Sequence, residues 1–181
     1  MTTFSNAILS LPAPSITLAL GGLTTSYVFF GNLAEYQRGV IPYLNGRLLP
    51  GSPLKLTDKE KAKLWRAYFK PAATWVVGAS LVSSVLAFTT SYIHPSPLIS
   101  RITLISGIQS LAILPITALS GLLPINSRLL ELAENESATS VKEDEAKELI
   151  NSWETRHLRR MPAYALACLS TLMAIVLDGR V

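Results

Sequence analysis

Trp153, His157 and Arg160 stand in a W-x3-H-x2-R spacing. Residues three and four apart are neighbours on a helix, so an aromatic plane, a base that titrates near neutrality and a permanent cation fall along one strip. Such a set suits proton transfer beside a flat apolar wall. The same residues also have a purely structural reading. Tryptophan anchors a helix at a membrane interface, and Arg156, Arg159 and Arg160 are the cations expected beside the cytosolic end of a span. His157 fits that reading least, because histidine contributes little as an anchor. Trp65 and Tyr68, three apart and just ahead of Lys70 and Pro71, form a lesser counterpart that interfacial anchoring also accounts for. His94 precedes Pro95 in another segment and reads as a turn residue.

Other chemistry is argued against by what is missing. The chain has no H-E-x-x-H, C-x-x-C, P-loop or G-x-G-x-x-G pattern, and only two distant histidines and one cysteine, so no dedicated metal or nucleotide site is expected. Cys168 lies in an apolar stretch and reads as packing. No acidic residue lies within an apolar stretch, which removes the usual proton relays of transporters.

The elements that must position these residues belong to a bilayer. The 181 residues are 49% hydrophobic and 15% charged, against about 25% charged in soluble domains. Residues 1–34 carry no charge, and further charge-free stretches cover 71–100, 102–127 and 161–177. Crossing a bilayer takes roughly 20 mostly apolar residues as a helix. The expected fold is therefore all-α, an integral membrane four-helix bundle in one domain, with spans at about 15–34, 70–93, 102–122 and 161–178. No cation precedes the first apolar stretch, which reads as a retained span rather than a cleaved signal. Gly21, Gly22, Thr24, Thr25 and Ser26 give that span a close-packing surface, and Pro115 should kink the third.

Charge fixes the orientation. Arg38, Arg47, Lys55, Lys59, Lys61, Lys63, Arg66 and Lys70 lie between the first two spans, and six more cations lie between the last two. The links 35–69 and 127–160 are thus cytosolic by the positive-inside bias, and both termini are lumenal. The sequon Asn135-Glu136-Ser137 should stay unglycosylated there. The basic balance suits anionic lipid headgroups rather than nucleic acid. Amphipathic cytosolic helices are expected before the second and fourth spans, opened by Thr57-x-x-Glu60 and Ser140-x-x-Glu143. Pro162 cannot donate to the Leu158 carbonyl, which predicts a kink and a freed acceptor beside His157.

The glycine-bearing first span, Trp65-Arg66-Ala67-Tyr68, and above all the run from Leu149 to Arg160 resemble the small membrane proteins of the DUF1772, or anthrone oxygenase, family. The resemblance implies a cofactor-independent monooxygenase that oxidises an anthrone-like polyketide of secondary metabolism to an anthraquinone with O2. An anthrone has an acidic methylene, and its anion can itself react with oxygen. The resemblance implies His157 as the base, Arg160 as stabiliser of the enolate or peroxide, and Trp153 as a wall against the planar substrate, with Tyr68 and Trp65 completing the pocket. Arg160 favours a neutral imidazole at His157, whereas Glu154 opposes it. The endoplasmic reticulum or another endomembrane is the expected location, and a homo-oligomer is left open. The alternative is a non-catalytic membrane scaffold that binds lipids or partners through its basic links, with a transporter as a weaker third reading.

Overall fold

In a computed structural model of the chain, residues 10–48, 56–134 and 144–180 are described. They form helices α1 (Ala13–Arg38), α2 (Val40–Leu44), α3 (Asp58–Ile93), α4 (Pro97–Leu111), α5 (Ile113–Leu119), α6 (Leu122–Glu134), α7 (Glu145–His157), a 3-10 turn (Leu158–Arg160) and α8 (Met161–Leu177), with no strand among the described residues. Among the described residues, four stretches are long and apolar enough to cross a membrane: Ala13–Leu44, Asp58–Ile93, Pro97–Leu119 and Glu145–Leu177. The protein is an all-helical integral membrane protein of the four-span type.

Two compact units divide the chain. The first combines Met1–Phe29, Gly78–Ala112 and Pro162–Val181. Its helices approach closely through small and hydroxyl residues: Ser106 donates to the Ala167 carbonyl at 2.9 Å, and Ser84 to that of Gly107 at 3.0 Å. A Cβ on Gly107 would lie 2.6 Å from the Phe88 ring, so any larger residue would have to displace that ring. His94 lies in the short connection between Ile93 and Pro97, and it is tied down there. Its Nδ1 accepts from the Ser96 amide at 3.1 Å, and its Nε2 lies 3.2 Å from Asp178, which also accepts from Ser15 at 2.7 Å.

The second unit combines Phe30–Val77 and Ile113–Met161. Its core joins Trp65, Leu122, Leu129, Ile150 and Trp153. Thr57 and Glu60 cap α3 reciprocally, as their spacing predicts: the Thr57 amide donates to Glu60 at 2.8 Å and the Glu60 amide to Thr57 Oγ1 at 3.3 Å. Ser140–Glu143 and the sequon lie outside the described residues.

Three features differ from the sequence expectation. The helix of the second span does not begin at Lys70 and Pro71, because α3 runs unbroken through Pro71 from Asp58. The third stretch breaks at Ala112 rather than bending at Pro115; Leu111 is the residue whose carbonyl Pro115 cannot satisfy, and α4 ends there. The helix before the fourth span does tighten at the expected place. However, the Leu158 carbonyl is not left free, because it accepts the Met161 amide in the 3-10 pattern.

Candidate functional site

Helix α7 carries Trp153 and His157 one turn apart, and the 3-10 turn follows with Arg160. The indole and imidazole stack, with ring centres 4.7 Å apart and planes 16° from parallel. Trp153 is fixed from behind. Its Nε1–H donates to Asn126 Oδ1 at 2.9 Å, and the rings of Trp65, Tyr68 and Phe69 meet it edge-on at 6.0, 6.4 and 6.4 Å. Edge-to-face pairs of this kind favour one ring orientation over others.

His157 Nε2 lies 3.0 Å from Asn32 Oδ1, while Nδ1 is buried with no hydrogen-bond partner among the described residues. Glu154, the neighbour that would oppose a neutral imidazole, is engaged elsewhere: it pairs with Arg47 and accepts from Asn45 Nδ2 at 2.9 Å. Arg156 closes a helix end, donating to the Gly121 carbonyl at 2.7 Å and that of Ser120 at 3.3 Å. Carbonyls at the end of a helix have no intrahelical partner, so this guanidinium satisfies the break between α5 and α6.

A cavity of about 240 Å³ touches Trp153, His157, Arg160 and Tyr68 together. Phe69, Ala72, Ala73, Val76 and Leu123 give it apolar walls, and Asn32, Thr117 and Asn126 add polar groups. The volume lies just under the roughly 300 Å³ at which pockets for drug-sized ligands begin, so a flat ligand would be held closely. The Arg160 Nε is buried without a hydrogen-bond partner among the described residues. A smaller pocket of about 20 Å³ also touches Asn32, Tyr68, Trp153 and His157.

Four of the five residues singled out from the sequence thus meet at one cavity. Trp65 does not line it: it is fully buried and stacks on Phe69 at 4.5 Å, one layer behind. Asn32, Phe69 and Asn126 join them at the cavity, with no spacing motif in the sequence to mark them. The signal for Asn32 is an amide near the end of an otherwise charge-free span, a setting in which polar groups tend to be functional. Among the described residues no group of three His, Cys, Asp or Glu side chains is placed to hold a metal ion.

What the arrangement offers is an imidazole with one ring nitrogen, and a guanidinium with one donor, that lack partners among the described residues, and a mostly apolar cavity beside both. A family model described as Anthrone oxygenase matches residues 65–170, which include Tyr68, Trp153, His157 and Arg160. No curated protein and no solved structure matches the chain.

Proposed function

Because this chain belongs to the anthrone oxygenase family, we propose that it oxidises a planar, anthrone-like polyketide to a quinone with O2 and without a cofactor. The observation that carries this reading is the convergence of His157, Arg160 and Trp153 on one apolar cavity large enough for a flat ligand.

His157 removes a proton from the substrate methylene, and the electron pair delocalises onto the opposite carbonyl oxygen. Arg160 stabilises that enolate. The carbanion carbon then gives its electrons to O2 and forms the C–O bond, and the resulting peroxide anion takes up the proton held by His157. Loss of the second C–H proton breaks the O–O bond and makes the new C=O. One oxygen atom stays in the quinone and the other leaves as water. The substrate supplies all the electrons, so the protein's tasks are to take a proton, hold a charge and exclude water.

The basic links 35–69 and 127–160 favour a site at the cytosolic interface, with both termini lumenal in an endomembrane such as the endoplasmic reticulum. An apolar substrate can then partition into the bilayer beside the cavity. The test supplies an anthrone to membranes containing the protein under oxygen and under nitrogen. Quinone should form under oxygen faster than in empty membranes, and His157→Gln should lower the excess rate by about 10²- to 10⁴-fold. A rate no greater than the autoxidation in empty membranes would remove the reading.

A further inference from the structure

We propose that Asn32 is a positioning residue: it holds His157 as the tautomer with hydrogen on Nε2, leaving Nδ1 as the nitrogen that accepts the substrate proton. This inference rests on the reading of His157 as the base. Asn32 lies on α1, outside residues 65–170 that match the family model.

The geometry points to one protonation pattern. Asn32 Oδ1 can only accept, so a 3.0 Å contact with His157 Nε2 places a hydrogen on that nitrogen. The other nitrogen, Nδ1, is buried and has no partner among the described residues. A second hydrogen there would be a buried donor with nowhere to go, which costs about 1–3 kcal/mol, whereas a bare lone pair is a smaller loss and is also what a base needs. The ring cannot easily turn to exchange its nitrogens, because one face lies against Trp153. Asn32 is itself only 7% exposed, so solvent does not compete for the bond.

An amide suits this task better than a carboxylate would. It orients the ring without adding charge, whereas a carboxylate at the same distance would stabilise the protonated imidazole, which cannot accept a proton. The other charges nearby are Arg160, with Glu35 and Glu154 around the smaller pocket, and Glu154 is already paired with Arg47.

The chain has only two histidines, so a sample labelled with 15N-histidine gives a spectrum that a His94→Gln variant assigns. In the intact protein in detergent or nanodiscs, His157 should show a protonated Nε2 and an unprotonated Nδ1 at neutral pH. The opposite tautomer in the wild type would overturn the proposal, since the amide would then be donating. Asn32→Leu, which removes the acceptor at similar size, should mix the tautomers and lower kcat about 10- to 100-fold, with KM within about twofold. Wild-type tautomer and kcat in that variant would also overturn it. Asn32→Asp tests the same claim should the leucine variant fail to fold: both His157 nitrogens should become protonated at neutral pH, with turnover reduced. An unchanged neutral ring in Asn32→Asp would count against the pairing. Should the wild type show the expected tautomer yet oxidise no anthrone above empty membranes, the oxygenase reading falls while the Asn32–His157 pairing stands.

Discussion

Trp153 lies flat against His157 at 4.7 Å while its own Nε1–H reaches Asn126 at 2.9 Å, so the side chain that walls the cavity also immobilises the base. The two roles can be separated. Trp153→Phe keeps an aromatic face but leaves Asn126 Oδ1 without its donor, which should cost about 1–3 kcal/mol. Trp153→Ala removes a 5%-exposed indole from the core of the second unit and should cost about 3–5 kcal/mol. Unfolding midpoints in detergent should fall in that order. A phenylalanine variant less stable than the alanine variant would contradict the assignment of most of the stability to packing.

Gly121 should tolerate no side chain. Its φ is +71°, where a Cβ is strained, and an added Cβ would lie 2.2 Å from Arg156 Nη1. Gly121→Ala therefore has to push the guanidinium off the Ser120 and Gly121 carbonyls, leaving them unsatisfied where α5 ends and α6 begins. A loss above about 1 kcal/mol is expected. Arg156→Ala should cost a similar amount, and the double variant little more than either single one. Additive losses would show that the two residues are not coupled.

How legible these relationships are in the sequence depends on their range. The four apolar stretches and the tightening before Pro162 follow from composition and from proline's missing donor, both local properties. The Trp153, His157, Arg160 strip is legible for the same reason, since one helical turn dictates it. The helix α6 is less visible because its apolar residues, Leu122, Ile125, Leu129 and Leu132, follow directly on an apolar stretch that masks their periodicity. Trp65 is misassigned because three-residue spacing aligns it with Tyr68 but does not say which of the two reaches the cavity. Asn32 pairs with His157 across 125 residues, and no local pattern encodes such a contact.

The ion pair between Lys61 and Asp144 should make stability depend on acid. Lys61 is only 8% exposed, and its Nζ lies 2.8 Å from Asp144 and 3.6 Å from Asp58. The hydrogen bond from Lys61, and then its charge, hold the Asp144 carboxyl below its usual value. A carboxyl lowered on folding stabilises the fold fully above its unfolded value, about 3.9, and loses that contribution as pH falls through the folded value. Asp144→Asn should therefore melt at a lower temperature than wild type at pH 7, and the gap should narrow as pH falls below about 4. A gap that stays constant down to pH 3, or widens there, would refute the linkage.

Arg160 differs from its arginine neighbours in having a buried Nε beside the cavity with no partner among the described residues. Arg156 is bonded to carbonyls, and Arg159 is exposed. A buried donor without an acceptor is costly, and an oxyanion arriving with the substrate would relieve that cost. Arg160→Gln should then lower kcat by about 10²- to 10³-fold, the usual loss when one oxyanion donor is removed. Arg160→Lys should recover only part of it, because an ammonium keeps the charge but not the planar fork. The two candidate oxyanions, enolate and peroxide, form at different stages and can be told apart without oxygen. Under nitrogen in D2O, deuterium entering the substrate methylene reports proton removal alone. If Arg160 stabilises the enolate, Arg160→Gln should slow this exchange as much as it slows turnover. If it stabilises only the peroxide, exchange should run at the wild-type rate while quinone formation still falls. Exchange and turnover both at wild-type rates in a folded variant would leave Arg160 with no part in the reaction.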